Sequence, residues 1–502
     1  MNIQFIDLFC GAGGLGEGFK QAGFNSAIHI DSDKWAIDTV RLREIYYQLK
    51  SQKKLDTYYE SIKESNGLLS PELFQDNDSI DMDAVMSKAS HLRINESSIK
   101  SLIMTIKTSH NNNCSSVIIG GPPCQAYSLA KRSRMRKPLI GLMGDDLVQA
   151  KDEHKTRIEK YLTDKRHALF EHYLKIIYDI KPAAFVYENV PGILTAEKKS
   201  GKKSTDKIIN LFNEDLNKKA GGYEFISVDS PEHSQIPLGI DDETRNFKDF
   251  IVDSSDYGIP QKRKRFILIG IRKDLANNQR CDFREIFHSA VLQYKVTEQV
   301  RVKDAIMDLP AINSGQGNDF FLKGEYGTNS SDYSNELACP DLGGIINHFA
   351  RKHMASDLDR YRFFAEYADK NKMNATLHTL VEKNKSLLPE HESAKDVLSD
   401  NTEKKKSARY IDRFKVQLKE KPASTITAHI AKDGHAFIHP SIEQNRSLTV
   451  REAARLQSFP DDYAFCGPRT EQFKQVGNAV PVLLAKVIAM GIKKVLESCH
   501  GR

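Results

Sequence analysis

No stretch of this sequence approaches the roughly 20 continuous apolar residues that a membrane helix needs, so no membrane span is expected. The opening residues, MNIQFIDLFCGAGG, carry no basic lead before their apolar part and do not resemble a signal peptide. The seven cysteines are odd in number and scattered, which argues against a disulfide framework and for a reducing, cytoplasmic setting. None of them forms a CxxC pair, and His348 and His353 have no evident third ligand, so no metal site is expected. There is no internal repeat and no long low-complexity tract. The formal net charge of +6 is small for 502 residues; it permits a nucleic-acid partner without revealing one. What is present is a balanced composition, 40% apolar and 28% charged, in a chain long enough for more than one core.

The first 40 residues read as strand, glycine turn, helix and strand. Ile3 to Phe9 is apolar, Leu15 to Gln21 suits a helix ended by Gly23, and Ser26 to Ile30 runs into Asp31. That is the unit of a parallel, doubly wound α/β sheet. Val117–Ile119, Ala184–Tyr187 and Phe266–Ile271 read as further strands, Ala168–Ile180 as a helix, and Pro481 opens a last helix. A catalytic and cofactor-binding domain is expected over 1–300, with helices and loops inserted near 41–113 and a surface excursion near 196–250. Residues 301–440 lack the βαβ rhythm and form the candidate second domain, and 441–502 return to the first.

Two turns carry chemistry. Gly11-Ala12-Gly13-Gly14-Leu15-Gly16 fits G-x-G-x-x-G after a strand and before a helix, with Asp31 twenty residues after Gly11. Such glycines let backbone approach a nucleotide-like ligand, and the acid suits ribose hydroxyls. A plain tight turn, or the cofactor turn of an NAD-dependent oxidoreductase, satisfies the same pattern. The second turn, Gly120-Gly121-Pro122-Pro123-Cys124-Gln125, follows a strand. Two prolines force the chain off the sheet's C-terminal edge and present Cys124 there, where ligands bind in such sheets. A thiolate is the nucleophilic form, and Lys131, Arg132, Arg134, Arg136 and Lys137 would supply a field that favours it. Cys10, Cys114, Cys281, Cys339, Cys466 and Cys499 read as inert apolar residues, a reading that fits Cys124 taken alone as well as the nucleophile does.

Six segments in order resemble the DNA cytosine-5 methyltransferase family, across most of the chain. They are FIDLFCGAGGLGEGF at 5–19, GGPPCQAYS at 120–128, YENVPGIL at 187–194, YGIPQKRKRFILIG at 257–270, RSLTVREAARLQSFPDDY at 446–463 and QVGNAVP at 475–481. PASTIT at 422–427 resembles the end of the family's target-recognition region. The resemblance implies a Rossmann-like S-adenosylmethionine-dependent domain with a smaller target-recognition domain. It implies that Cys124 attacks carbon 6 of cytosine, that Glu188 bonds ring nitrogen 3, that Arg265 holds the base's carbonyl oxygen, and that Arg263 braces the nucleophile or a phosphate. The methyl group then goes to carbon 5, whose proton leaves to a water or a side chain. For S-adenosylmethionine it implies Phe9, the backbone at Gly11 and Gly13, Asp31 (where the family usually has Glu), Pro122 and Asn478. Asn478 has a second reading, as a helix cap. Thr449 to Glu452 fits a capping box, so most of that block reads as structural.

Because carbon 6 is stacked inside a duplex, the cytosine must be flipped out; methyltransferases are a standard instance of base flipping. The segment after Cys124 resembles the loop that closes over DNA in the family, with Gln125, Ser128, Lys131, Arg132 and Arg134 expected on DNA together with Gln261. Asn347, His348, Arg351, His353, Arg409, Tyr410 and Arg413 are expected to face a groove. The expected substrate is double-stranded DNA in a bacterial cell, at the nucleoid. The chain is expected to be a monomer, part of a restriction-modification system and not stably bound to a companion endonuclease. Methylation of cytosine in RNA is the competing reading within the same fold.

Overall fold

The computed structural model describes residues 2–65, 69–109, 115–123, 167–195, 197–200, 204–207, 222–229, 247–276, 282–390, 392–399 and 411–500. Its centre is a sheet whose strands run, in space, β3 (Ala89–His91), β2 (Asn25–Asp31), β1 (Ile3–Leu8), β4 (Ser115–Gly120), β5 (Ala184–Asn189), β11 (Lys264–Arg272) and β8 (Tyr223–Ile226), with β9 (Ile251–Asp253) also on β11. The five strands from β3 to β5 are parallel; β11 runs antiparallel to them, and β8 and β9 pair antiparallel with β11 and so run with the five. Strands buried on both faces read as continuous apolar runs, and Val117–Ile119 and Phe266–Ile271 do so because successive side chains enter opposite layers. Val117, Ile119, Ile267 and Ile269 join one core with Leu15, Phe19 and the C-terminal helix. Ile118, Phe266 and Leu268 join the other, with Leu102, Ile106, Tyr173 and Ile177. This is the expected doubly wound α/β fold.

Helix α1 (Gly14–Gln21) follows the glycine turn, and α2 (Lys34–Ser51) is capped by Asp33, whose carboxylate accepts the Trp35 and Ala36 amides. The C-terminal helix Val482–His500 returns to lie along α1. Gly18 permits this closeness: a Cβ there would stand 2.4 Å from Ala485 Cβ.

Two expected excursions contain sheet strands. Residues 41–113 hold α3 (Leu55–Glu64) and α4 (Met82–Lys88), but also β3 and α5 (Ile99–Ser109), which belong to the doubly wound layers. Residues 196–250 hold the hairpin β6 (Glu197–Ser200) and β7 (Ser204–Lys207), and then β8, whose Tyr223, Phe225 and Ile226 are buried. Strands of three and four residues in polar surroundings are too short for a periodic signal.

Residues 301–440 divide among three cores. Val302, Ile306 and Leu309 pack with Leu448, Leu456 and Phe473 of the C-terminal blocks. The hairpin β12 (Gly317–Lys323) and β13 (Gly344–Phe349) sets Phe321 and Ile346 against Tyr58, Ile62 and Leu49. Only Tyr361, Phe364, Leu377, Leu380, Phe414, Val416 and Ile438 form a core of their own. Ile438 bridges forward to Ser447, so the chain crosses 440 without a break in packing. Among the described residues no helix is long and apolar enough to cross a membrane.

Candidate active site and DNA cleft

Strands β1, β2, β4 and β5 all deliver their last residues to one edge of the sheet, the carboxyl edge where open α/β sheets bind ligands. From β1 come Phe9 and the glycine turn; from β2, Asp31; from β4, Gly121 and Pro122; from β5, Glu188.

The turn after β1 is held from both sides. Asp31 Oδ2 accepts the Gly11 amide at 2.8 Å and its Oδ1 accepts the Asp33 amide at 2.9 Å. Burial nevertheless pushes the Asp31 carboxyl up, partly offset by those amides. Gly13 has φ 77°, a left-handed conformation that suits glycine, and starts α1. Opposite, Tyr463 donates to the Ala12 carbonyl at 2.6 Å, and Val480 O lies 2.5 Å from where a Gly14 Cβ would stand. No described atom lies within 4 Å of a Cβ built on Gly11, so the turn faces open space there. An acceptor carboxylate, a half-buried Gly11 backbone and a helix N-terminus beside open space fit an adenosine-type ligand. Asn478 is exposed, the last residue of the helix Arg469–Asn478, two residues before Val480.

At β5, Glu188 and Arg265 form a pair, Nε to Oε1 2.9 Å, each side chain 13% exposed. They face each other because β5 and β11 run antiparallel, with Glu188 opposite Ile267. The neighbour of this carboxylate is therefore a cation, and its other oxygen faces β4: a Cβ on Gly121 would lie 2.6 Å from Glu188 Oε2. The next residue, Asn189, was not singled out from sequence. It is buried and donates through Nδ2 to the Pro122 carbonyl at 3.1 Å, anchoring the proline turn. A polar residue ending an apolar strand was the available signal.

The described chain reaches Pro123, and Cys124 lies outside the described residues, as do Cys114, Gln125, Ser128, Lys131, Arg132, Arg134, Arg136, Lys137, Cys281, Arg409 and Tyr410. Of the remaining cysteines, burial pushes the Cys10, Cys339 and Cys466 thiols up, as befits inert apolar residues.

Several expected contacts are corrected. Arg263 is 1% exposed and donates to the carbonyls of Ile426 (2.6 Å) and Ala479 (2.8 Å), so it is not open to a phosphate. Gln261 is wholly buried: its amide donates to Leu456 O and Gln457 Oε1 and accepts from Ile426 N, so it does not face DNA. Asn347 and His348 are core residues. His348 bonds Thr449 Oγ1 and the Pro310 carbonyl, and burial pushes its pKa down. Arg351 donates to the Ile430 and Lys432 carbonyls. The reason is common to all: these polar groups close backbone gaps between segments far apart in sequence, where an unpaired donor would be costly. The 446–463 block is structural, as expected. Thr449 and Glu452 form the capping box, and buried Arg455 pairs with Asp461 and Asp308, each at 2.6 Å.

An open cleft of about 1030 Å³ lies along Lys262 and the segments 412–418 and 421–437. Strand β10 (Gln261–Lys262) pairs with β14 (Ala423–Ser424) at one wall, and Thr425 donates to the Lys262 carbonyl at 2.7 Å. Its lining includes Lys262, Arg413, Lys415, Lys421 and Lys432 against only Asp412 and Asp433. A cleft lined by five cations and two acids suits a polyanion.

The chain matches the family model of the C-5 cytosine-specific DNA methylases over residues 3–68, 154–225 and 245–494. It is 36% identical to the type II methyltransferase M.Bpa9945I of Bacillus paralicheniformis, covering 99% of each chain. It is 26% identical to the type II methyltransferase M.DdeI of Desulfomicrobium norvegicum, covering 100% of this chain and 90% of that one. Among solved structures, one described as a putative DNA modification methyltransferase encoded within a prophage of E. coli shares the fold. Its TM-score is 0.50 at 21% identity, covering 99% of this chain and 100% of that one. The sheet topology, the strand-end pair and these matches agree: the chain belongs to the C-5 cytosine-specific DNA methylases and is a DNA (cytosine-5-)-methyltransferase.

Proposed function

We propose that the chain methylates cytosine at specific sites in double-stranded DNA, with Cys124 as covalent nucleophile. One observation carries this reading: Glu188 Oε2 lies against Gly121, in the turn that leads into Cys124, while Arg265 holds Oε1. A cytosine flipped to this edge meets acid, cation and thiolate together. The Cys124 thiolate adds to carbon 6, and the electron pair displaced from the 5,6 double bond makes carbon 5 nucleophilic. Glu188, as the carboxylic acid, donates to ring nitrogen 3, and Arg265 donates to the base's carbonyl oxygen while keeping Glu188 in place. When bound, S-adenosylmethionine supplies the methyl group. Asp31 would hold its ribose hydroxyls, with Phe9, Gly11, Gly13, Pro122 and Asn478 around it. Loss of the carbon 5 proton to a base restores the double bond and expels Cys124. Arg263 acts at one remove, fixing Ile426 and Ala479 beside the site.

The basic cleft takes the duplex, and the part built round the separate core of Tyr361, Leu377, Phe414 and Val416 reads its sequence. By analogy with the type II relatives, the product protects host DNA from a companion restriction endonuclease that is not a stable subunit. The enzyme acts as a monomer at the nucleoid of a bacterial cytoplasm. Radiolabelled S-adenosylmethionine with unmethylated genomic DNA, followed by mapping of the modified bases, tests the reading. Label in site-specific 5-methylcytosine is expected, whereas label entering RNA and not DNA overturns it. Duplexes carrying 5-fluorocytosine at the mapped site should trap the parent chain covalently. Trapping by Cys124→Ser at the parent rate would remove Cys124 from the mechanism.

A further inference from the structure

Behind the cleft wall, Ser447, His353, Tyr361 and His435 form a hydrogen-bonded line whose last residue also holds Asp433, the partner of a cleft arginine. The Ser447 amide and hydroxyl both reach His353 Nε2, at 3.3 and 3.0 Å. An amide can only donate, so Nε2 accepts and neutral His353 carries its proton on Nδ1, 3.5 Å from the Tyr361 hydroxyl. That hydroxyl has one proton and its shortest partner is His435 Nδ1, at 2.7 Å. His435 therefore carries its own proton on Nε2, 3.9 Å from Asp433 Oδ2 and too far for a hydrogen bond, and it is the His435 backbone amide that donates to Asp433, at Oδ1, 3.1 Å. The other Asp433 oxygen, Oδ2, accepts from Arg413 Nη2 at 2.9 Å. Each donor determines the next, so the line has one direction, from Ser447 to His435, whose backbone amide holds Asp433.

Burial keeps both imidazoles neutral, as the direction requires: it lowers the His435 pKa and brings that of His353 down to about 4. The turn at its end is tightly seated. Gly434, at φ 78°, lies so close that a Cβ there would stand 2.7 Å from Ser447. Arg351 fixes the approach to the turn through Lys432 O. The result is rigid on the inside and open on the outside, where the Arg413 side chain is 39% exposed in the cleft.

We propose that Arg413 is a DNA-backbone contact of the cleft, aimed by Asp433, and that Tyr361, His353 and His435 are positioning residues acting through it. This rests on the reading of the cleft as the duplex site. A guanidinium held on one side by a carboxylate presents its remaining N–H groups in a fixed plane, the geometry that suits a phosphate. The relay stands in for flexibility that Arg413 would otherwise lose on binding.

The test compares Arg413→Ala, Tyr361→Phe and the double variant in the full chain, measuring KM for DNA, kcat and the salt dependence of DNA binding. Arg413→Ala is expected to raise KM for DNA about tenfold, more than it changes kcat, and to reduce the log–log salt slope by about one. Tyr361→Phe keeps the ring that packs on Phe414 and removes only the hydroxyl. It is expected to raise KM about threefold alone and to add nothing in the Arg413→Ala background. Arg413→Lys should restore the salt slope but not the parent KM, because a point charge lacks the fork. Asp433→Asn breaks the link between the line and Arg413 at a partly exposed position and should match Tyr361→Phe. Parent-like KM and salt slope in Arg413→Ala overturn the proposal, and so does a Tyr361→Phe effect that multiplies that of Arg413→Ala. If the parent chain itself transfers no methyl group to DNA, the functional reading fails, and this outcome is separate from the others.

Discussion

Along the carboxyl edge of the sheet, charged side chains stand partly exposed where strands end: Asp31 after the core of β2, and Glu188 on β5 facing Arg265 on β11. In the half of the molecule built from 301–440 and the blocks after it, arginines and histidines go inside. Arg446, Arg451 and Arg455 are wholly buried, and His348 and His439 are at most 1% exposed. The sheet supplies its own backbone pairing, so charges at its edge bond the turns beside them or one another. The second half has little sheet, and its segments are joined by side chains that donate to carbonyls: Arg451 to Ile346, Pro460 and Tyr463, and Arg455 to Ala305. Where regular structure is scarce, cations take over its hydrogen bonding.

The largest effect that would sharpen this contrast is at the edge. Glu188→Gln keeps the shape but removes the acid, and kcat is expected to fall on the order of 10³-fold with the unfolding midpoint little changed. Arg265→Ala is expected to act the same way, about 10²-fold. Arg263→Ala, two residues away on the same segment, should instead lower stability, since it strands the Ile426 and Ala479 carbonyls. If Arg263→Ala folds at the parent midpoint while losing only kcat, the division between edge and interior is wrong.

Next comes the interior. Arg455→Ala leaves Asp461 and Asp308 buried without their partner, and about 3–5 kcal/mol of stability should be lost. Urea midpoints measure it, and a loss below about 1 kcal/mol would show that the pair is exchangeable with water.

How far each half was legible follows from the same difference. Strand, glycine turn and helix over 3–31 were readable because apolar periodicity and glycine placement are local. Glu188 and Arg265 were legible only through the resemblance of their segments to the family, since alone Glu188 reads as a cap or salt-bridge partner and Arg265 as part of an exposed basic rim. The short strands β3 and β8 carry too few residues for periodicity to show. His348 and Arg351 looked like groove readers because their partners are remote: Thr449 is 101 residues from His348, and Lys432 is 81 from Arg351. A polar residue whose partner is that distant gives no sign in sequence of whether it faces water or closes a core. Asn189 shows the converse, a positioning residue hidden beside the conspicuous Glu188.

The two halves should also respond to pH with opposite sign. Burial lowers the pKa of His348, brings His353 to about 4 and His439 to about 3. Around them stand Arg351, Arg446, Lys419, Asp357, Glu452 and His435, and desolvation outweighs the acids. These histidines are neutral when folded and gain protons on unfolding. Their stability is complete above about pH 6.5 and is lost as pH falls from there toward 4 and then 3. A loss on the order of 2 kcal/mol between pH 6.5 and 4.5, before ordinary carboxylates titrate, is expected in urea unfolding, and His353→Gln should flatten part of it.

Beneath the glycine turn the arrangement is reversed, and it gives the smallest and most specific prediction. His29 is 3% exposed and lies between two carboxylates, Asp7 Oδ2 at 3.4 Å from Nδ1 and Glu44 Oε1 at 3.3 Å from Nε2. At these separations they are ion pairs more than well-made hydrogen bonds. Burial opposes the charge, yet the two acids together raise the imidazole pKa, while Lys20 and Lys88 face Glu44 from the far side. A raised pKa means the folded state holds a proton that the unfolded chain releases. This contribution is therefore complete below about pH 6.5 and disappears as pH rises through the folded value. His29→Gln should be less stable than the parent at pH 6, and the gap should close by pH 9. The strip also lies under α1: a Cβ on Gly16 would stand 2.8 Å from Asp7 Oδ2 and 2.9 Å from His29 Cε1. The same variant should thus loosen the cofactor turn, read as weaker S-adenosylmethionine binding at pH 6 than at pH 9 relative to the parent. A stability gap that widens with pH would mean that His29 is neutral in the fold and that both halves bury histidine alike.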